Sequence, residues 1–411
     1  MPRTGPPQGQ HRGGPPPSNG ALSGLNLRLA IFSWESLHSI CAGGAGVHAT
    51  ELAAALERRG NEVHVFTRMG HGQCHYEVID GVHYHRCPFS LDRYLPREID
   101  NMCRSFVHHY FQCENYSGRF DAVHAHDWLA APAAVWVKQG RGTKAVLTLH
   151  STEYGRCGNN FWGGASADVR GRERWAAWSV DRVITVSQAL RDEIAWMYQL
   201  PRERMRVIYN GINVHAYDGW LDQGQVKQRF HVGPFDPVVL FVGRMTVQKG
   251  PDILARVVPH ILHHWPQARF IFAGDGDMRR QVEEITWRNG THWACRFVGH
   301  FNGTGLRDLY RAADLVVVPS RNEPFGIVIL EAWGAGKPVV ASQNGGPNEF
   351  VWHEVTGLKV YAEEGSVSWG ISRLLRDPEF GRWLGHNGRV AAESVFSWGS
   401  IAAQVEDVYR S

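Results

Sequence analysis

Two carboxylates, Glu323 and Glu331, flank the run Pro324-Phe325-Gly326-Ile327-Val328-Ile329-Leu330, and Gly334-Ala335-Gly336-Lys337-Pro338 follows. The β-branched apolar run at 315–318 predicts a short strand closed by Pro319. The composition of 325–335 predicts a helix that Pro324 begins. Glu323 then sits in a loop at the C-terminal end of a strand, where open α/β sheets bind ligands. The amides of Phe325, Gly326 and Ile327 would offer positive partial charge at a helix start, which suits a diphosphate. Glu323 can accept hydrogen bonds from sugar hydroxyls, and Glu331, two helical turns further in, can accept from both hydroxyls of a ribose. The pattern suits a grip on a sugar nucleotide; spacing alone also allows a surface loop glutamate and a solvated helix glutamate.

Other turns point to the same chemistry. Gly243-Arg244-Met245-Thr246-Val247-Gln248-Lys249-Gly250 follows a predicted strand and opens a helix, so Arg244 and Lys249 can reach the same diphosphate. It lacks the Gly-Lys-Ser/Thr order of a Walker loop. Gly274-Asp275-Gly276 and Val298-Gly299-His300 also follow strands. Gly274 suits a tight turn, and backbone groups of Val298 and Gly299 suit the approach of a nucleoside base. Gly345-Gly346-Pro347-Asn348-Glu349 repeats the strand, glycine turn and helix arrangement.

In the first half, Gly43-Gly44-Ala45-Gly46 precedes a helix, and Gly44 and Gly46 let backbone come close to a phosphate or sugar. Gly44, Gly46 and Ala49 satisfy G-x-G-x-x-A. A dinucleotide site needs that turn directly after the first strand and an acidic residue ending the second, and neither is present. His124-Ala125-His126-Asp127-Trp128 and Leu149-His150-Ser151-Thr152-Glu153-Tyr154-Gly155-Arg156 end neighbouring strands, so His126, Asp127, His150 and Glu153 are candidates for lining one polar pocket.

These positions require two sheets. Strands are predicted at 27–33, 62–67, 122–126, 145–150 and 182–187, and again at 238–242, 269–273, 296–298, 315–319 and 338–342. Helices fall between, as at 47–59, 188–197 and 253–262. The reading is α/β: a Pro/Gly-rich tail at 1–24, with six prolines and too little apolar surface to order itself, then doubly wound Rossmann-like domains at 25–230 and 231–395 facing a central cleft, and a final helix in 396–411. A length of 411 residues suits two cores. Net charge of +3 with 20% charged residues implies no nucleic-acid face. No apolar run approaches a membrane span, and no leader is evident, so a cytoplasmic protein is expected. Peripheral contact through loop tryptophans such as Trp162 and Trp175 is conceivable for a lipid acceptor. Seven scattered cysteines without a C-x-x-C pair predict free thiols. The sequons at Asn115, Asn289 and Asn302 then carry little meaning. His85 and Cys87 are potential metal ligands, yet no metal site is expected from them.

Taken in order, Gly43–Gly46, His124–Trp128, His150–Arg156, Tyr209-Asn210-Gly211-Ile212, Gly243–Gly250, Gly274–Gly276 and Glu323–Glu331 resemble the retaining glycosyltransferases of the GT-B fold, family 4 in particular. His126-Asp127-Trp128 and His150-Ser151-Thr152-Glu153 are similar to segments of glycogen synthases. The resemblance covers nearly all of 27–409. It implies transfer of a hexosyl group from a UDP-, ADP- or GDP-sugar to a carbohydrate, lipid or small-molecule hydroxyl with anomeric configuration kept. It also implies that Arg244 and Lys249 hold the diphosphate, Glu323 the sugar, Glu331 the ribose, and His126 or His150 the transferred sugar. No cofactor or metal is needed in that mechanism, because a donor phosphate oxygen takes the acceptor's proton. The last helix would cross back to the first domain. Two departures stand out: Ser36–Ala42 replaces a Pro-rich run on the acceptor side, and Pro347-Asn348 replaces the usual context after Gly345-Gly346. Competing readings are a sugar-nucleotide 2-epimerase and a non-catalytic nucleotide-sugar-binding subunit. The first would need carboxylates about the sugar's C2, and the second would normally have lost a cation or carboxylate that this chain retains.

Overall fold

Runs of β-branched and aromatic residues alternate with helices twice along the chain, and each series forms its own sheet. The structure, a computed structural model, describes residues 26–41, 43–301 and 303–411. The tail at 1–24 and the sequon residue Asn302 lie outside the described residues. The first sheet contains β1 Arg28–Ser33, β2 Glu62–Arg68, β3 Tyr76–Ile79, β4 Val82–Cys87, β5 Ala122–His126, β6 Lys144–Leu149, β7 Arg182–Thr185 and β8 Met205–Val207. Their order is β3-β4-β2-β1-β5-β6-β7-β8, parallel throughout except for β3 against β4. The second contains β9 Val238–Val242, β10 Arg269–Ala273, β11 Cys295–Gly299, β12 Leu315–Val318, β13 Val339–Ser342 and β14 Leu358–Val360, in the order β11-β10-β9-β12-β13-β14.

The expected strands fall within a few residues of these bounds, and four others were not foreseen. β8 and β14 are three-residue edge strands, too short for periodicity to register. β3 and β4 form a hairpin whose turn, Asp80-Gly81, has φ of 49° and 78°. Two positive φ values in an Asp-Gly pair are the signature of the turn that matches strand twist.

Both sheets reverse their strand order at one point, between β1 and β5 in the first and between β9 and β12 in the second. Ligand crevices in open sheets form outside such points. Here the two strand-end edges face each other. A Cβ built on Gly44 would lie 3.0 Å from Ile327 Cδ1, and Asn322 Nδ2 donates to Asn159 Oδ1 at 2.7 Å and Glu193 Oε2 at 3.2 Å.

The helix Trp398–Arg410 returns to the first sheet. Trp398, Ile401, Ala402, Val405 and Val408 share one apolar cluster with Leu29, Ile31 and Leu52, while Glu406 accepts from Asn61 and Arg59. The segment 214–229 packs the other way. Tyr217 lies against Tyr310 and Gly334, and Lys227 Nζ donates to Asp314 at 2.9 Å. The change of packing partner therefore falls near Asn213, earlier than the expected boundary at 230.

Candidate functional site

Four apolar residues, Leu315–Val318, carry β12 through the second core, and the chain then turns at Ser320 into the cleft. Glu323 is 4% exposed there, with Lys249 Nζ 2.8 Å from each carboxylate oxygen and Ser320 Oγ donating at 2.9 Å. The sequence assigned Lys249 and Glu323 to different parts of a ligand; the structure joins them directly. Backbone bonds strap the loop to the turn after β13: Glu323 N–H donates to Asn344 O, and Gly346 N–H to Glu323 O. Gly345 has φ 94°, and a Cβ on it would lie 2.2 Å from Glu323 O, so this turn admits only glycine.

The helix that follows is Ile327–Gly334, preceded by Gly326 at φ 102°. Pro324 thus stands three residues before its first residue and does not begin it. Phe325 is not helical; its buried ring packs on Tyr209, Phe350 and Phe396. Ile329 N–H donates to Gly326 O at 2.9 Å, while the amides of Ile327 and Val328, at the start of the helix, lie at the cleft beside Gly44. Glu331 lies four residues after Ile327, just over one turn in rather than two. Tyr310 donates to its Oε2 at 2.6 Å, and burial pushes its carboxyl up to about 7 against that hydrogen bond.

Arg244 is exposed at the end of β9, and its charge acts on Asp127 of the opposite domain. Gly274 and Gly276 serve the loop that carries Arg244: a Cβ on Gly274 would lie 1.9 Å from Gly243 O, and one on Gly276 2.5 Å from Met245 O. Gly299 O accepts from Gly274 N–H at 2.7 Å, so Val298 and Gly299 lie beside this loop pair.

Across the cleft, β5 and β6 end on His126 and His150. His126 Nδ1 and His150 Nε2 are 3.2 Å apart, and the His48 ring lies 5.2 Å and 4.6 Å from the two rings. His126 is 2% exposed and forms part of the wall of the site. Burial lowers His150 to about 4 and His126 and His48 well below the ordinary value, so all three are neutral at pH 7. His126 Nε2, both His48 nitrogens and Asn210 Oδ1 have no hydrogen-bond partner among the described residues. One nitrogen from each of the three histidines falls within 4.8 Å of the others, close enough to share a ligand or an ion. Sequence reasoning missed His48; its signal was its place two residues after Gly46 on the helix Gly44–Arg58.

Asp127 opens the helix Asp127–Arg141 with φ 56°, a left-handed conformation that costs a non-glycine residue about 1–2 kcal/mol. Its Oδ1 accepts from His150 N–H at 2.7 Å. Burial pushes its carboxyl up to about 6, opposed by that bond and by the charges of Arg156 and Arg244. Other expected site residues have structural partners. Glu153 and Arg156 pair with each other at 3.0 Å, and His124 bonds Thr148 and Tyr409. A Cβ on Gly46 would meet Cys41 Sγ at 2.8 Å, so that glycine serves a local turn, whereas Gly44 faces the cleft. Glu349 spans the domains: its carboxylate accepts from the N–H groups of Gln188 and Ala189 and from Tyr209 Oη.

Comparison with known proteins is consistent along most of the chain. Residues 42–216 match Glycosyltransferase Family 4, and residues 225–391 match Glycosyl transferases group 1. An uncharacterized glycosyltransferase of Methanocaldococcus jannaschii is 34% identical over 397 residues, covering 93% of this chain and 98% of the relative. The structure is similar to sucrose-phosphate synthase of Thermosynechococcus elongatus, with TM-score 0.79, 25% identity and coverage of 94% of this chain and 98% of that one. It has the fold of the Anabaena protein HepE solved with UDP and glucose, with TM-score 0.76, 22% identity and coverage of 93% and 99%. Among the described residues, no helix is long and apolar enough to cross a membrane.

Proposed function

For this chain, which belongs to glycosyltransferase family 4 and has the GT-B fold, we propose transfer of a hexosyl group from a nucleotide diphosphate sugar to a hydroxyl acceptor with anomeric configuration retained. The observation that carries this reading is the joined set Lys249, Glu323 and Ser320 at the end of β12, opposite a wall of three neutral imidazoles, two of them buried. The UDP and glucose of HepE support a nucleotide-sugar donor.

In this reading the diphosphate lies between Arg244, Lys249 and the first turn of the helix Ile327–Gly334, where charge growing on the leaving group meets fixed positive partners. Glu331 accepts from the ribose hydroxyls. Lys249 turns from Glu323 toward phosphate, and the freed carboxylate accepts from sugar hydroxyls. His126 faces the transferred sugar with an unpartnered Nε2. As the bond from C1 to phosphate oxygen breaks, the acceptor oxygen bonds C1 from the same face and gives its proton to the departing phosphate. These residues supply no metal-dependent step, so full turnover with chelator present is the expected outcome. The epimerase and the non-catalytic subunit are not favoured.

The test is product analysis by NMR with UDP-, ADP- and GDP-glucose and an α-glucan or simple glycoside acceptor, in chelator. Formation of an axial glycoside from an axial donor, lost in Glu323→Ala with the fold intact, is expected. An inverted product, epimerised nucleotide sugar without transfer, or dependence on added metal would overturn the corresponding part of the reading.

A further inference from the structure

Strand alternation places Glu62, His64 and Phe66 on one face of β2. The parallel register sets His83 beside His64 and His85 beside Phe66 on β4, so both histidines share that face. The C-terminal end of the helix Leu95–Ser117 covers it, with Cys113 and Ser117 one turn apart. This region lies toward the starts of β2 and β4, at the end of the first sheet away from the cleft.

Three donor atoms meet there. His64 Nδ1 is 2.9 Å from His85 Nε2 and 3.4 Å from Cys113 Sγ, and all three atoms lie within 4.8 Å of one another. Zinc bonds of about 2.0–2.1 Å to imidazole and about 2.3 Å to thiolate set neighbouring tetrahedral donors roughly 3.3–3.6 Å apart. The imidazoles need to part by only a few tenths of an ångström. His64 Nε2 is 2.8 Å from Glu62 Oε1. A carboxylate accepts, so that nitrogen carries the proton and Nδ1 turns its lone pair toward His85 and Cys113. Carboxylates orient metal-bound imidazoles in this way. Arg28 stands 3.8 Å from Cys113 Sγ, and Glu62 meets its charge at 2.9 Å. His64 is buried, while His85 and Cys113 are partly exposed and leave an entry path. Cys87, which the sequence suggested with His85, donates instead to His85 O at 3.4 Å.

We infer that His64 Nδ1, His85 Nε2 and Cys113 Sγ form a binding site for one borderline-soft divalent transition cation such as Zn²⁺. Two imidazoles and a thiol match the ligand preference of that ion over Mg²⁺ or Ca²⁺. Binding breaks the Cys113 S–H bond, forms a sulfur–metal bond and releases that proton to solvent. The imidazoles coordinate as neutral groups: the proton by which His85 Nε2 donates to His64 Nδ1 at 2.9 Å in the metal-free chain moves through solvent to His85 Nδ1, freeing the Nε2 lone pair for the ion. Water or Ser117 Oγ, 3.5 Å from Cys113 Sγ, can take the fourth position. The ion would clip the end of the Leu95–Ser117 helix to the β2–β4 edge and take no part in the cleft.

Co²⁺ titration of the chelator-stripped full chain tests this, since cobalt on sulfur gives a thiolate charge-transfer band that the sulfur-free histidine group of the cleft cannot give. The expected results are one sulfur-bound Co²⁺ per chain, displaced by Zn²⁺, with Zn²⁺ raising the melting temperature. Cys113→Ser should abolish the band, and His85→Gln should weaken Co²⁺ binding at least tenfold, with glycosyl transfer unchanged in Cys113→Ser. No charge-transfer band in the wild type, or the same band and affinity in Cys113→Ser, would overturn the site. If His85→Gln fails to fold, Cys113→Ser and wild-type Zn²⁺ competition decide alone.

Discussion

Lys249 Nζ stands 2.8 Å from both oxygens of Glu323, tying the loop after β9 to the loop after β12 before any ligand is bound. The two partners differ in burial, with side chains 23% and 6% exposed. Lys249→Met therefore leaves a buried carboxylate without its cation and should cost on the order of 3 kcal/mol of stability. Glu323→Gln still accepts from Ser320 and frees a lysine that reaches water, so its cost should stay near 1 kcal/mol. Urea unfolding of both variants checks the asymmetry; equal losses would mean the pair is as solvated as a surface bridge. Both variants should lose most transfer activity.

Arg244 presents the opposite case. It is exposed, and its charge acts across the cleft on Asp127. Arg244→Ala should change stability by less than about 0.5 kcal/mol while lowering the transfer rate on the order of 10²–10³-fold. Thermal melting beside initial rates separates the two effects. A large fall in melting temperature with a small fall in rate would make Arg244 a structural cation.

The sequence made the sheets legible because buried parallel strands are continuous apolar runs, as at Val238–Val242 and Leu315–Val318. Strand-end loops then located Arg244, Lys249, Glu323, His126 and His150 together. Pairing was not legible. Lys249 and Glu323 are 74 positions apart, and only the β9–β12 switch point brings them together. His48 was hard to see because its one signal, a place two residues after Gly46, does not separate it from any other histidine on an amphipathic helix, and the tight turn expected at Gly274 is where Gly243 O passes. The His64, His85 and Cys113 group was invisible for the same reason: β2, β4 and a helix must first be registered against one another.

With Glu331 on the ribose, as proposed, donor binding should depend on pH. Burial pushes its carboxyl up to about 7 from an ordinary 4.5, and only the ionised form accepts from both ribose hydroxyls. Donor affinity should rise as pH climbs through about 7, falling about tenfold one unit below it. Stability runs the other way. A folded-state value above the unfolded one contributes stability that is fully present below 4.5 and is lost as pH rises through about 7. Glu331→Gln should therefore raise the melting temperature of the free protein above pH 7, by up to about 3 kcal/mol of stability, while weakening donor binding and flattening its pH profile. Calorimetric titration with UDP-glucose across this range measures it; an unchanged profile in Glu331→Gln would remove Glu331 from the ribose.

Glu349 bridges the two domains. Its Oε1 accepts from Ala189 N–H at 2.7 Å and its Oε2 from Gln188 N–H at 3.0 Å, at the first turn of the helix Gln188–Tyr198 in the opposite domain. A carboxylate from one domain thus meets the positive end of a helix in the other, and Tyr209 steadies it at 3.1 Å. Charge-assisted bonds of this kind contribute about 1.5–3 kcal/mol when buried and less at a wet boundary. Glu349→Ala should shift the free protein toward an open form by roughly 1–2 kcal/mol, a five- to thirtyfold change in the closed-to-open ratio. Small-angle scattering should show a larger radius of gyration without donor and recovery when UDP-glucose is added, with KM raised more than kcat is lowered. Glu349→Gln, which keeps an acceptor but loses the charge, should fall between the two. An unchanged scattering curve in Glu349→Ala would mean that the returning helix Trp398–Arg410 and the Asn322 bonds to Asn159 and Glu193 hold the domains together without it.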